Sequence, residues 1–88
     1  MKEHYNRKKK IRFRKHTKNR LYERYNVYFT NQDLKNMITL IRTGKSKMIK
    51  AFSNTRTLHR LTYNNIEMVV VYNKYYKEIA TAFEKDIL

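Results

Sequence analysis

The sequence predicts an α+β domain, with two N-terminal helices packed on a four-stranded antiparallel meander sheet. Three observations carry that reading. Apolar residues recur at helical spacing in the first half and at strand spacing from Lys47 onward. Thr30 and Asp33 precede Leu34, Met37, Ile38 and Ile41, and Gly44 follows, so one helix is written out with both of its ends. Asn64-Asn65 separates two apolar runs by the two residues that a type I′ hairpin needs.

The elements follow in order. Residues 1–15 read as a basic arm and residues 16–88 as a single domain. In the arm, IRFRK alternates Ile11 and Phe13 with Arg12 and Arg14, which fits a short edge strand or an extended segment that orders on binding. Thr17 is placed to cap a short helix to about Tyr25, with Leu21 and Tyr25 four apart on one face. The second helix is the one capped by Thr30 and stopped by Gly44. Four strands then read as KMIKAFS, TRTLHRLTY, IEMVVVYN and EIATAF. Asparagine tolerates the positive φ of the 64–65 turn, and 73–77 reads as a longer turn. The hairpin register pairs Tyr63 with Ile66, Leu61 with Met68, His59 with Val70 and Thr57 with Tyr72. Those residues share one face; Arg56, Leu58, Arg60, Val69 and Val71 share the other. Met68–Val71 is apolar on both, which marks the central strand. The face of Thr81 stays open, because one residue of slip in the last turn reverses it.

Charge bears on function. Of the 21 Lys and Arg residues, 11 fall in the first 24 positions against Glu3 and Glu23, so that stretch holds +9 of the net +14. Such density repels itself and becomes favourable beside a polyanion, where each neutralised phosphate releases counterions. Nucleic acid is the expected partner, RNA ahead of DNA. Other classes drop out. No Cys and three His leave no basis for a disulfide scaffold or a structural zinc site, and suit a reducing cytoplasm. A single Gly excludes the glycine-rich phosphate loops of nucleotide-binding folds, and no cofactor is expected. Carboxylates are few and scattered, against a two-metal nuclease. No apolar run reaches membrane-span length, and no membrane role is expected.

Two segments, HTKNRLYERYNVYFTNQDLKNMITLIRTGK and YNNIEMVVVYNKYYKEIATAF, resemble the barnase, EndoU, colicin and RelE-type grouping of small metal-independent ribonucleases and their bacterial and phage relatives. The first is similar to an opening His-x3-Arg-x3-Arg helix that turns into a second helix. The second is similar to a terminal hairpin that ends in Ile-x-Thr. The resemblance implies helices layered on a curved sheet, RNA on the concave side, and cleavage through the ribose 2′-hydroxyl. It assigns the matching positions His16, Arg20, Arg24 and Thr81 to the site. The chain lacks the C-terminal tyrosine common in RelE-type toxins and a well-placed glutamate base of the barnase type.

Several residues stand out for their own chemistry. His16 and His59 are natural proton shuttles, or else a cation-face residue and an ordinary sheet residue. Arg56 and Arg60 share a strand face and suit bidentate phosphate contact, or else are solvated. Arg7, Lys8, Lys9, Lys10, Arg12 and Arg14 form the non-specific phosphate tether. Tyr72, with Tyr75 and Tyr76, flanks a turn where bases can stack, whereas Tyr22, Tyr25, Tyr28, Phe29, Tyr63 and Phe83 are expected in the core. The expected function is RNA binding, with toxin-like, metal-independent endoribonuclease activity as the sharper form and the ribosome or an antitoxin among the partners. The alternative is a non-catalytic nucleic-acid-binding, regulatory or anti-defence protein, for instance phage-encoded.

Overall fold

The structure, a computed structural model, describes the backbone of residues 2–86 and the side chains of residues 7–86. The side chain of His4 lies outside the described range, as do the two ends of the chain. Element order is α1 (Lys2–Tyr25), α2 (Asn31–Arg42), β1 (Lys47–Ala51), β2 (Arg56–Tyr63), β3 (Ile66–Asn73) and β4 (Glu78–Phe83). The strands form one antiparallel sheet in the order β1-β2-β3-β4. This is the expected α+β fold.

α2 forms as its ends dictate. Thr30 Oγ1 accepts the Asp33 N–H while Asp33 Oδ2 accepts the Thr30 N–H, a complete capping box. At the other end Gly44 takes φ +77°, and the N–H groups of Gly44 and Lys45 bond the carbonyls of Ile41 and Leu40. That is a Schellman stop, and it requires the left-handed conformation glycine adopts without strain. Leu34, Met37, Ile38 and Ile41 are buried against Leu61, Met68, Val70 and Tyr72 of the sheet. Tyr63 ties the two layers: it accepts from Asn36 and donates to Asp33.

The hairpin register is the expected one throughout, Tyr63↔Ile66 to Thr57↔Tyr72, with Asn64 and Asn65 both at positive φ. The sheet therefore has two buried faces. One meets α2; the other gathers Leu58, Val69 and Val71 with Ile49, Ala80 and Phe83. A bulge between the pairs Val71↔Thr81 and Tyr72↔Ile79 leaves Ala80 as the extra residue. Directly opposed side chains share a face, so Thr81 lies with Val71 on the side away from α2.

α1 corrects the sequence reading. Residues 11–15 are neither strand nor extended, and Thr17 is not a cap: one helix runs from Lys2 to Tyr25. Lys and Arg, both good helix formers, dominate, with neither Gly nor Pro to interrupt. The face turned to the sheet is Arg14, Thr17, Leu21 and Tyr25, at helical spacing but half polar. Arg14 makes a two-pronged salt bridge to the buried Glu78 at 2.9–3.3 Å. Thr17 is fully buried and donates its hydroxyl to Ile79 O. Tyr25 donates to Phe83 O and accepts from Val69 N–H, bridging the end of the β3–β4 ladder. The helix therefore runs along β4, and the lengths agree. From Arg14 to Tyr25 the helix rises roughly 16 Å, and from Glu78 to Phe83 the strand advances roughly 16 Å. Two carbonyls of β4, the edge strand beside α1, are thus satisfied by helix side chains, those of Ile79 and Phe83.

Candidate functional site

The stripe of α1 one step around from its sheet-facing residues is Lys9, Arg12 and Phe13, His16 and Arg20. Because α1 lies along β4, this stripe overhangs the sheet face that α2 leaves uncovered. Between them lies an open cleft of about 580 Å³. Its floor is Val71, Ala80, Thr81 and Phe83 on β3 and β4, and Phe52 and Arg56 at the β1–β2 turn stand on the far side. Phe52 and Arg56 stand together because the 52–56 turn closes through Phe52 N–H to Arg56 O at 2.9 Å. Lys50 Nζ sits 5.5 Å from the centre of the Phe52 ring, a cation–π distance.

The electrostatics are one-signed. Lys9, Arg12, Arg20 and Arg56 line the cleft with His16, and no carboxylate among the described residues does. Arg20 has its own counter-ion, Glu23 at 3.0 Å, while its buried Nε has no hydrogen-bond partner. His16 Nε2 lies 3.1 Å from Thr81 Oγ1, and this pair is exposed to solvent. Rings of Phe13, Phe52 and Phe83 stand beside the cations, the combination on which bases stack while phosphates are held. Phe13 also packs edge-on to Tyr76 at 5.4 Å, and Tyr76 to the exposed Tyr75 at 4.8 Å. An aromatic path thus leaves the cleft along the β3–β4 turn.

Of the residues singled out by sequence, the cleft brings together Lys9, Arg12, His16, Arg20, Arg56 and Thr81. The others lie elsewhere. His59 is on the α2 side, 7% exposed, with Nδ1 at 2.9 Å from Ser46 Oγ and Nε2 at 2.7 Å from Thr57 Oγ1. Burial, and then the nearby Lys74, push its pKa below the ordinary 6.5. Arg14 is spent on Glu78 rather than on a ligand. Arg24 reaches Glu84 at 3.5 Å, and Arg60 donates to Lys85 O and faces Glu67 at 4.0 Å. Arg7 and Lys8 are exposed on the first half of α1, and Lys10 is half-buried there. Tyr72 is not a stacking surface: it is 6% exposed, beneath α2. Tyr22 and Tyr28, expected in the core, instead stack on each other at 4.2 Å at the surface.

Sequence reasoning missed the three phenylalanines of the cleft. The signal was present in Phe13, which stands four residues after Lys9 and three before His16, but it reads only once residues 9–20 are known to be helical.

Chemically the cleft can hold a phosphate by several charge-assisted hydrogen bonds, and it offers one imidazole to a neighbouring hydroxyl. Among the described residues no group of His, Asp and Glu is placed to share a metal ion, and no helix is long and apolar enough to cross a membrane. No family model, curated protein or solved structure matches the chain.

Proposed function

We propose that this protein binds single-stranded RNA in the cytoplasm, seating the phosphate backbone in the cleft between α1 and the sheet. The observation that carries this reading is the convergence of Lys9, Arg12, Arg20 and Arg56 on one open cleft that has aromatic walls and no carboxylate lining. Arginine forks grip phosphate oxygens in pairs, and the rings accept bases without regard to sequence. A single strand fits because its bases are free to turn onto Phe13 and Phe52. Ribose is favoured over deoxyribose because His16 Nε2 and Thr81 Oγ1, 3.1 Å apart, present a donor and an acceptor to a 2′-hydroxyl.

The same pair supports a second reading, metal-independent cleavage of the kind implied by the resemblance to small ribonucleases. Neutral His16 would take the 2′-hydroxyl proton as that oxygen attacks the adjacent phosphorus. The arginines would hold the charge of the phosphorane, and the 5′-oxygen would leave with a proton from the imidazolium or water. The products are a 2′,3′-cyclic phosphate and a 5′-hydroxyl.

The experiment uses a labelled single-stranded RNA and its deoxy counterpart, with EDTA, at several salt concentrations. Tight binding to RNA that drops about 10-fold or more in Arg12→Ala/Arg56→Ala supports the cleft. Equal affinity of that folded double variant and the wild type sinks it. Release of a 2′,3′-cyclic end, absent when deoxyribose precedes the scissile phosphate, identifies cleavage; an intact strand across pH 5 to 8 leaves recognition alone.

A further inference from the structure

The opposite end of the α2-covered face holds a cavity that the RNA cleft does not use. It measures about 300 Å³ and lies where the last turn of α2, the start of β1 and the β3–β4 turn meet. Arg42, Lys74 and Lys77 stand around it, and its polar floor is Thr57, His59 and Tyr72. No carboxylate among the described residues lines it. Glu78, whose charge acts on Tyr72, is already bound by Arg14.

The cations are displayed by fixed backbone. Lys74 N–H bonds Thr55 O at 2.7 Å, and Tyr76 N–H bonds the buried Asn73 side chain at 3.0 Å. Lys77 holds φ 57°, which closes the turn. Lys74 and Lys77 are therefore held on one rim with Arg42 on the other. The floor is a hydrogen-bonded row, Ser46–His59–Thr57, in which Thr57 is 1% and His59 7% exposed. Three like charges around one cavity repel one another, and a ligand of opposite charge removes that repulsion.

We propose that this cavity is a second anion site, separate from the RNA cleft, that takes a phosphate group between Arg42, Lys74 and Lys77 above the Thr57–His59 floor. The phosphate comes either from a small phosphate monoester or from a nucleic-acid segment. Three cations suit a group carrying up to two negative charges.

His59 reports on the site. It is held below its ordinary pKa by burial and by Lys74, so an anion beside Lys74 reverses part of that effect and raises the midpoint. The groups that face it are Ser46, Thr57, Lys74 and, edge-on at 6.3 Å, Tyr72.

The test is an NMR titration of the full chain in inorganic phosphate, in a nucleoside 5′-monophosphate and in a short single-stranded RNA, each against chloride of equal ionic strength. Expected is a rise of the His59 midpoint by about half a pH unit or more, with movement of the Lys74 and Lys77 amides, which needs no ionisation of His59. Lys74→Ala/Lys77→Asn should abolish both while sparing the response of His16; asparagine keeps the positive φ that position 77 requires. Arg12→Ala/Arg56→Ala should do the reverse, so failure of one site is distinguishable from failure of the other. A response to the monophosphate alone names a small phosphate monoester as the ligand, and one to RNA names a nucleic-acid segment. Unmoved His59 and turn amides in all three, or movement undiminished in the Lys74/Lys77 variant, overturn the proposal.

Discussion

His16 and His59 carry the same side chain into opposite surroundings, and the difference decides what each does. His16 stands in water beside four permanent cations and one hydroxyl. His59 is enclosed, both ring nitrogens engaged by hydroxyls. On the cleavage reading, His16→Ala lowers the rate about 10²–10⁴-fold, whereas His59→Gln leaves it near wild type; the reverse pattern would move the chemistry to the other face. His59 instead affects stability through pH. Its folded pKa lies below the unfolded 6.5, so between those two values the unfolded chain binds more protons than the folded one. Stability then rises with pH through that window: the contribution is complete above about pH 7 and is lost as pH falls through 6.5 toward the folded midpoint. Urea midpoints at several pH values should show this fall in wild type and a shallower one in His59→Gln. Parallel curves would assign the acid sensitivity to other groups.

Elements differ in how far their cause is local. α2 is legible in sequence because its cap, its apolar stripe and its stop lie within 15 consecutive residues (30–44), and the β2–β3 hairpin because two asparagines fix the turn and the turn fixes the register. Thr30→Ala should accordingly cost about 1 kcal/mol, and Ile38→Ala about 2–4 kcal/mol, in chemical denaturation; a wild-type midpoint for Ile38→Ala would mean α2 does not dock as described. α1 is illegible for the opposite reason. Its sheet-facing stripe includes Arg14 and Thr17, which satisfy no apolar period, and their partners Glu78 and Ile79 lie more than 60 residues away. The face of Thr81 was hidden as well, since it depends on one bulged residue, Ala80. The cleft follows from these two facts together, so its cations were visible in the sequence while their convergence was not. The Arg14–Glu78 bridge makes the docking of α1 testable. With Glu78 buried and Arg14 about a quarter exposed, Glu78→Ala should cost about 1–3 kcal/mol. It should also speed amide exchange in α1 before β4; exchange unchanged in α1 would mean that the helix is held by Leu21 and Tyr25 alone.

Across the whole molecule the charge is polarised along α1. The cationic cleft lies beside the middle and first half of the helix, while at its C-terminal end, next to the hairpin turn, Glu23, Glu67, Glu84 and Asp86 outnumber Arg24 and Lys85 around a second cavity. A polyanion is drawn to one end and repelled from the other, which orients encounter before any contact forms. Binding should therefore depend steeply on salt. Four cleft cations with Arg7 and Lys8 neutralise about six phosphates, for a log–log slope near −4 with a single strand. Among the described residues, removing residues 1–8 deletes only the exposed Arg7 and Lys8 and keeps Phe13 and Arg14, which pack on Tyr76 and Glu78. The truncated chain should melt as the full one does and bind with a slope near −3, the value for about four phosphates. Arg12→Ala/Arg56→Ala, in the full chain, should flatten the slope to a similar degree and weaken binding at every salt concentration. If the truncation erased both slope and affinity while the double variant kept them, the exposed start of α1 would be the binding surface and the cleft a bystander.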